Sequence, residues 1–235
     1  MGAHSRVPFQ LLLGLCTAAC SVPRAYQSPR TTPRGLISHS LAVEAGQGFF
    51  EQDEREEETL TAPEGHNPAT YTIRVGLAER WEAAGSAGLG LWASEVKWNF
   101  LRTVPIDASV APRAQYYEPL VFDGEPRTLL TLSLPAPVGF NVSREFSIIT
   151  TPALAYAAGR RPGTTDEDTT TTAPTMMERA LVGALAVDLQ LRPHSRLAFQ
   201  PGVTMLRRFD NGEVRWQVGV AFNFGRLPFY GDVPP

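Results

Sequence analysis

Few residues of this chain have the type and spacing for bond-making chemistry. Beyond an apolar amino-terminal stretch the acid–base candidates are His39, His66 and His194. A hydroxyl nucleophile needs a base within hydrogen-bonding reach, and the one adjacent pairing, His194-Ser195, adjoins a turn. In a strand such neighbours would point to opposite faces. No catalytic residue is therefore expected. Both cysteines, Cys16 and Cys20, fall inside the apolar stretch, so the rest of the chain can form neither an internal disulfide nor a thiolate metal cluster. No cluster of His, Cys and carboxylates has metal-ligand spacing, and the acidic run 51–58, Glu-Gln-Asp-Glu-Arg-Glu-Glu-Glu, does not match a calcium loop. Neither a metal nor a cofactor is expected. What remains is charge: Arg74, Glu95, Lys97, Asp188, Arg192, Arg196 and Arg215 recur on the polar face of alternating segments.

Those segments dominate the chain after about Thr70. In Val214-Arg215-Trp216-Gln217-Val218-Gly219-Val220-Ala221-Phe222-Asn223-Phe224 each even position is large and apolar, and the odd ones are Arg, Gln, Gly, Ala and Asn. Period two is the mark of a strand between two different environments. Leu197 to Met205 repeats the rule, with Pro201 marking a local break. So does Leu181 to Arg192, where Val187-Asp188-Leu189-Gln190-Leu191-Arg192 decides against a helix. Further strands are read at about 70–81, 90–102, 115–122, 128–138 and 146–157, which makes eight. The segment 103–113 is read as a connection.

Upstream the grammar changes. Arg6 precedes the apolar core 7–19 and small residues follow it, the pattern of an export signal. Residues 1–20 are assigned to that signal. From 21 to 68 the chain carries Pro23, Pro29, Pro33, Pro63 and Pro68 among polar residues, with no sustained period, and is read as a disordered polar spacer. The barrel-forming region is 69–225 and a tail follows at 226–235. The formal charge of −3 gives no reason to expect nucleic acid, and beyond the amino terminus no apolar run approaches the roughly 18 residues of a membrane helix.

Strands of about nine to eleven residues with opposed faces suit a transmembrane β-barrel, because a sheet in hydrocarbon must close on itself to satisfy its backbone. Three features favour that over a soluble, lipocalin-like binding barrel, in which the large apolar residues would face inward. The polar face is rich in Gly and Ala, as a crowded lumen requires; its charges are mixed in sign and can pair; aromatic residues recur near strand ends. The expected fold is an all-β, antiparallel barrel of about eight strands.

Two resemblances sharpen this reading. Thr17-Ala18-Ala19-Cys20 resembles the lipobox of bacterial lipoproteins, which implies acylation of Cys20; Thr17 stands where that family usually has Leu. Gln217 to Phe224 resembles the carboxy-terminal assembly signal of bacterial outer-membrane barrels, polar-x-Gly-x-x-hydrophobic-x-aromatic, with Gln217, Gly219, Phe222 and Phe224 at the constrained positions. The architecture is similar to small barrels of the OmpA and OmpX type. The resemblance implies an outer-membrane location, outer-membrane lipid and the barrel-assembly machinery as partners, and a structural, surface-interaction or small-solute role without catalysis. Some small barrels of this kind modify lipid A, but His194-Ser195 does not reproduce the His-x-Ser spacing of the deacylases. With a periplasmic amino terminus the Thr-rich connection 159–176 faces outside and Pro193-His194 lies on the periplasmic side. Two departures are the eleven residues after Phe224 and the length of 103–113 for a periplasmic turn.

Overall fold

The computed structural model describes residues 26–46, 66–118, 128–161 and 176–230. The elements are all strands: β1 (Ile37–Gly46), β2 (His66–Ala78), β3 (Trp81–Gly88), β4 (Leu91–Arg102), β5 (Ile106–Val110), β6 (Arg113–Tyr117), β7 (Thr128–Pro135), β8 (Val138–Asn141), β9 (Phe146–Arg161), β10 (Met176–His194), β11 (Leu197–Arg208) and β12 (Val214–Gly225). Every pairing between them is antiparallel, and β12 pairs with β1 from Ser38↔Gly225 to Gly46↔Gln217, which closes the sheet into a barrel.

The twelve segments make ten staves. β5 and β6 both pair with β4, and β7 and β8 both pair with β9, so each of these couples is one interrupted strand. The interruptions fall at Ala111-Pro112 and Ala136-Pro137. Proline has no N–H to give to a ladder, and the neighbouring amides of Ala111 and Ala136 reach Pro135 and Pro152 carbonyls at 2.9 Å instead.

The count of about eight is thus corrected to ten, and the two additional staves have physical reasons for having escaped. β3 turns Ala83, Gly85 and Ala87 outward and Glu82, Ala84, Ser86 and Gly88 inward, so its two faces differ little in hydropathy. β1 alternates Ile37, His39, Leu41 and Val43 with Ser38, Ser40, Ala42 and Glu44, but lies in the region read as a spacer. That reading is corrected for residues 26–46, all of which belong to the barrel or its interior. The connection read at 103–113 contains all of β5 and the first residue of β6, so the actual turn is only Thr103 to Pro105, and its anomalous length disappears. The expected strand over 115–122 begins at Arg113, and its last four residues lie outside the described chain, as do residues 1–25, the acidic run 51–58 and most of the Thr-rich connection.

The short connections after β2, β4, β8 and β10 share one end of the barrel with the start of β1 and the finish of β12; this is called the near end. β1, β6 and β9 end, and β2, β7 and β10 begin, at the far end.

Polarity is inside out. Trp92, Trp216 and Val218 are 64%, 58% and 57% exposed, and Leu130, Leu132, Leu134, Leu154 and Phe222 also point outward. Charged and polar side chains, including Arg74, Glu82, Lys97, Asp107 and Gln200, are buried within. The soluble binding barrel required the opposite arrangement and is excluded by it. A charge placed on the outer face tests the consequence. Val220→Arg is expected to destabilise the barrel by about 2–4 kcal/mol in a bilayer if the site lies at mid-depth, read from urea unfolding in lipid vesicles, whereas a cost near zero would place that face in water.

Candidate functional site in the lumen

The barrel is not hollow. Tyr26, Gln27, Arg30 and Thr32 are each at most 2% exposed because the segment 26–33 runs inside the barrel. Inward-facing side chains hold its backbone: Arg74 donates to the Tyr26 carbonyl at 2.7 Å, Lys97 to those of Ser28 and Arg30 at 3.1 and 3.2 Å, and Asn99 to that of Pro29 at 3.0 Å. A proline-containing segment with no strand partners thereby finds acceptors and donors that water would otherwise supply.

Glycines on the inner face make room for it. A Cβ on Gly76 would fall on the carbonyl oxygens of Thr32 and Pro33, one on Gly219 would fall on the Tyr26 hydroxyl, and one on Gly139 would lie 2.6 Å from Pro29 Cγ. At Gly76 the obstacle is backbone, which cannot swing aside. Gly76→Ala is accordingly expected to cost about 1–3 kcal/mol, the usual range for overpacking, measurable as a lowered urea midpoint in micelles; an unchanged midpoint would mean that residues 32–33 do not pack there.

Charges form three linked layers. Near the middle, Lys97 Nζ lies 2.6 Å from Glu82 Oε1, Arg74 Nε is 3.9 Å from the same oxygen, and Glu82 Oε2 accepts the Thr32 amide at 2.6 Å. Toward the far end Glu95 receives Gln27 Nε2 at 2.5 Å and faces Arg113 at 3.6 Å. Toward the near end Arg30 Nε donates to Asp107 at 2.6 Å, and Asn141 reaches the same carboxylate oxygen at 2.6 Å. Beyond the charges on the far side lies an apolar layer of Leu91, Tyr117, Leu129, Val182 and Leu206, all inward and at most 2% exposed.

The carboxy-terminal tail seals the near end. Tyr230 is buried, its hydroxyl contacting Ser28 Oγ, with the Arg192 guanidinium 3.7 Å from its ring centroid and that of Arg30 at 4.5 Å. Such cation–π contacts favour a desolvated site. Arg30 also donates to the Phe229 carbonyl at 2.6 Å. Tyr230 of the tail is therefore part of the interior packing.

Of the seven charges picked out in the sequence, Arg74, Glu95, Lys97, Asp188 and Arg192 are buried and inward-facing. Arg215 is inward but half-buried at the far mouth, where its Nε bonds Glu213 at 2.5 Å. Arg196 is corrected: it precedes the first β11 pairing, Leu197↔Phe224, where alternation has ended, and it is exposed at the near end. Glu82, Arg113, Asp107 and Arg30 were missed, since each lay in a segment read as a connection or spacer. Of the assembly-signal residues, Gln217 faces inward, Gly219 abuts Tyr26, and Phe222 and Phe224 face outward; Cys20 lies outside the described residues. His39 sits on the outer face, stacked on Tyr71 and Phe224 with centroids at 5.9 and 5.3 Å. His194 Nδ1 accepts the Arg196 amide at 3.2 Å, which engages the ring nitrogen nearest the turn.

These features define a closed antiparallel β-barrel with an apolar exterior and a polar lumen filled by its own chain. No protein-family model matches the sequence, and no curated protein does. Among solved structures the chain is similar to Ail, the attachment invasion locus protein of Yersinia pestis, at 14% identity over 81% of this chain and 99% of that one, TM-score 0.34. It is also similar to the translocator domain of the autotransporter NalP from Neisseria meningitidis, at 11% identity, 82% and 88% coverage and TM-score 0.44. The outer membrane protease OmpT from Escherichia coli is another, at 10% identity, 81% and 94% coverage and TM-score 0.38. Likenesses at these values decide neither the family nor the function.

Proposed function

We propose that the protein is a non-enzymatic β-barrel of the bacterial outer membrane, closed to solutes and serving the envelope as a structural or surface-interacting element. The observation that carries this reading is the pairing of an apolar outer face with a lumen occupied by residues 26–33 and capped by Tyr230. Ten strands would leave more lumen than eight, and the chain fills it with its own amino-terminal segment. The near end then faces the periplasm, and the far end faces outside. Gln217, Gly219, Phe222 and Phe224 are read as the signal to the barrel-assembly machinery, with Gly219 also serving to accommodate Tyr26.

The test is conductance across planar bilayers of the full chain, alongside its mobility in gels with and without boiling. The expected result is a heat-shifted band from the outer-membrane fraction and no stable open-channel steps. Recovery from the soluble periplasm without a shift would overturn the membrane assignment, and a persistent open current would overturn the closed lumen.

A further inference from the structure

At the near end, outside the plugged lumen, lies a pocket of about 430 Å³ that none of the roles above uses. Three connections wall it: the β8–β9 turn with Arg144 and Glu145, the β10–β11 turn from Pro193 to Arg196, and the tail from Arg226 to Tyr230, with Leu36 closing one side. Its charge is one-sided. Among the described residues that line it, Arg144, Arg192, Arg196 and Arg226 stand against a single carboxylate, Glu145.

Two further observations show that Arg192, Arg196 and Arg226 are not bonded to a carboxylate among the described residues. Arg192 is 6% exposed, yet its N–H groups go to the Arg144 and Ser143 carbonyls, Ser147 Oγ and Gln190 Oε1, at 2.7 to 3.0 Å, none of them a carboxylate. The nearby Asp107 is engaged by Arg30 and Asn141. The side chains of Arg196 and Arg226, both exposed, have no ion-pair partner among the described residues. Guanidinium groups present planar forks that match the oxygens of phosphate and carboxylate. A lone carboxylate would offset one of the three charges of Arg192, Arg196 and Arg226, whereas phosphate carries more charge and offers oxygens to forks on different walls.

We propose that this pocket binds a phosphate group, with Arg196 and Arg226 as its forks and Arg192 as the buried charge beneath them. The source is either a free phosphate or the headgroup of a phospholipid at the membrane surface. The site goes beyond the envelope role above and does not depend on whether the lumen conducts.

The experiment titrates inorganic phosphate into the full chain in a phosphate-free sugar detergent, at constant ionic strength, by calorimetry. The expected result is saturable binding that weakens at least tenfold in the double variant Arg196→Gln, Arg226→Gln. The double variant Arg179→Gln, Arg207→Gln removes the same charge from exposed positions at the far end and is expected to leave binding unchanged. Absence of saturable binding by the unsubstituted chain, or an equal loss in both double variants, would overturn the proposal. Repeating the titration in vesicles identifies the source. Binding seen in galactolipid vesicles but abolished in phosphatidylglycerol vesicles supports the site with a lipid headgroup as its occupant; equal binding in both supports it with free phosphate.

Discussion

Replacing Lys97 by Met should lower stability by about 3–5 kcal/mol, the cost of taking from a buried carboxylate the nearer of its charged partners. The ammonium is 1% exposed, sits 2.6 Å from Glu82, which is equally buried, and also bonds two carbonyls of the plug segment. Met preserves most of the apolar stem, so the loss reports the charge and its hydrogen bonds. Urea unfolding in micelles, followed by the gel shift of the folded form, measures it. The companion variant Lys97→Met, Glu82→Gln should recover part of the loss by removing the orphaned charge. A loss below about 1 kcal/mol is what a solvated pair would give, and would show that water fills the lumen at this level.

The second large effect falls on a residue whose surroundings in the sequence read as a solvated spacer. Arg30→Met should also cost about 3–5 kcal/mol, because Asp107 is fully buried and would keep, among the described residues, Asn141 alone as a side-chain hydrogen-bond partner. The same change removes a cation from the Tyr230 ring and a donor from the Phe229 carbonyl. Loosening of the tail should therefore accompany the loss of stability, visible as faster proteolytic trimming of the carboxy terminus under native conditions. Arg30→Met, Asp107→Asn should restore stability more than it restores the tail, since only the first depends on the buried carboxylate. A variant as stable as the parent, with an unchanged tail, would show that residues 26–33 do not occupy the lumen in the folded protein.

These two residues also mark where the sequence was legible. Lys97 stands in Val96-Lys97-Trp98-Asn99-Phe100, whose alternation predicts an inward charge, and it points inward. Arg30 stands between Pro29 and Thr31 with no periodic neighbours, so nothing local distinguishes a buried plug from a solvated linker. The two strands that escaped failed for different reasons. β3 has small residues on both faces, and β1 has a clear alternation overshadowed by the prolines and charges around it. Because they escaped as a pair flanking β2, only the direction of that one strand changed. Every strand after Leu91 still runs in the direction the eight-strand reading would give it, and the short turn after β10 lies at the near end.

By itself the sequence determined the strand class, the antiparallel hairpins from β9 onward, which face of each periodic strand is apolar, and the inward direction of most of its charges. All of these follow from period-two patterning, a property of a few consecutive residues. Only the tertiary structure decided the closure at ten staves, the threading of residues 26–33 through the interior, the partners of Glu82, Glu95 and Asp107, and the burial of Tyr230 between Arg30 and Arg192. Each of these joins residues far apart in the chain, Ser28 with Tyr230 and Arg30 with Asp107 among them. A lumen is a surface that exists only once the sheet has closed, so what fills it leaves no periodic trace in the segment that does the filling.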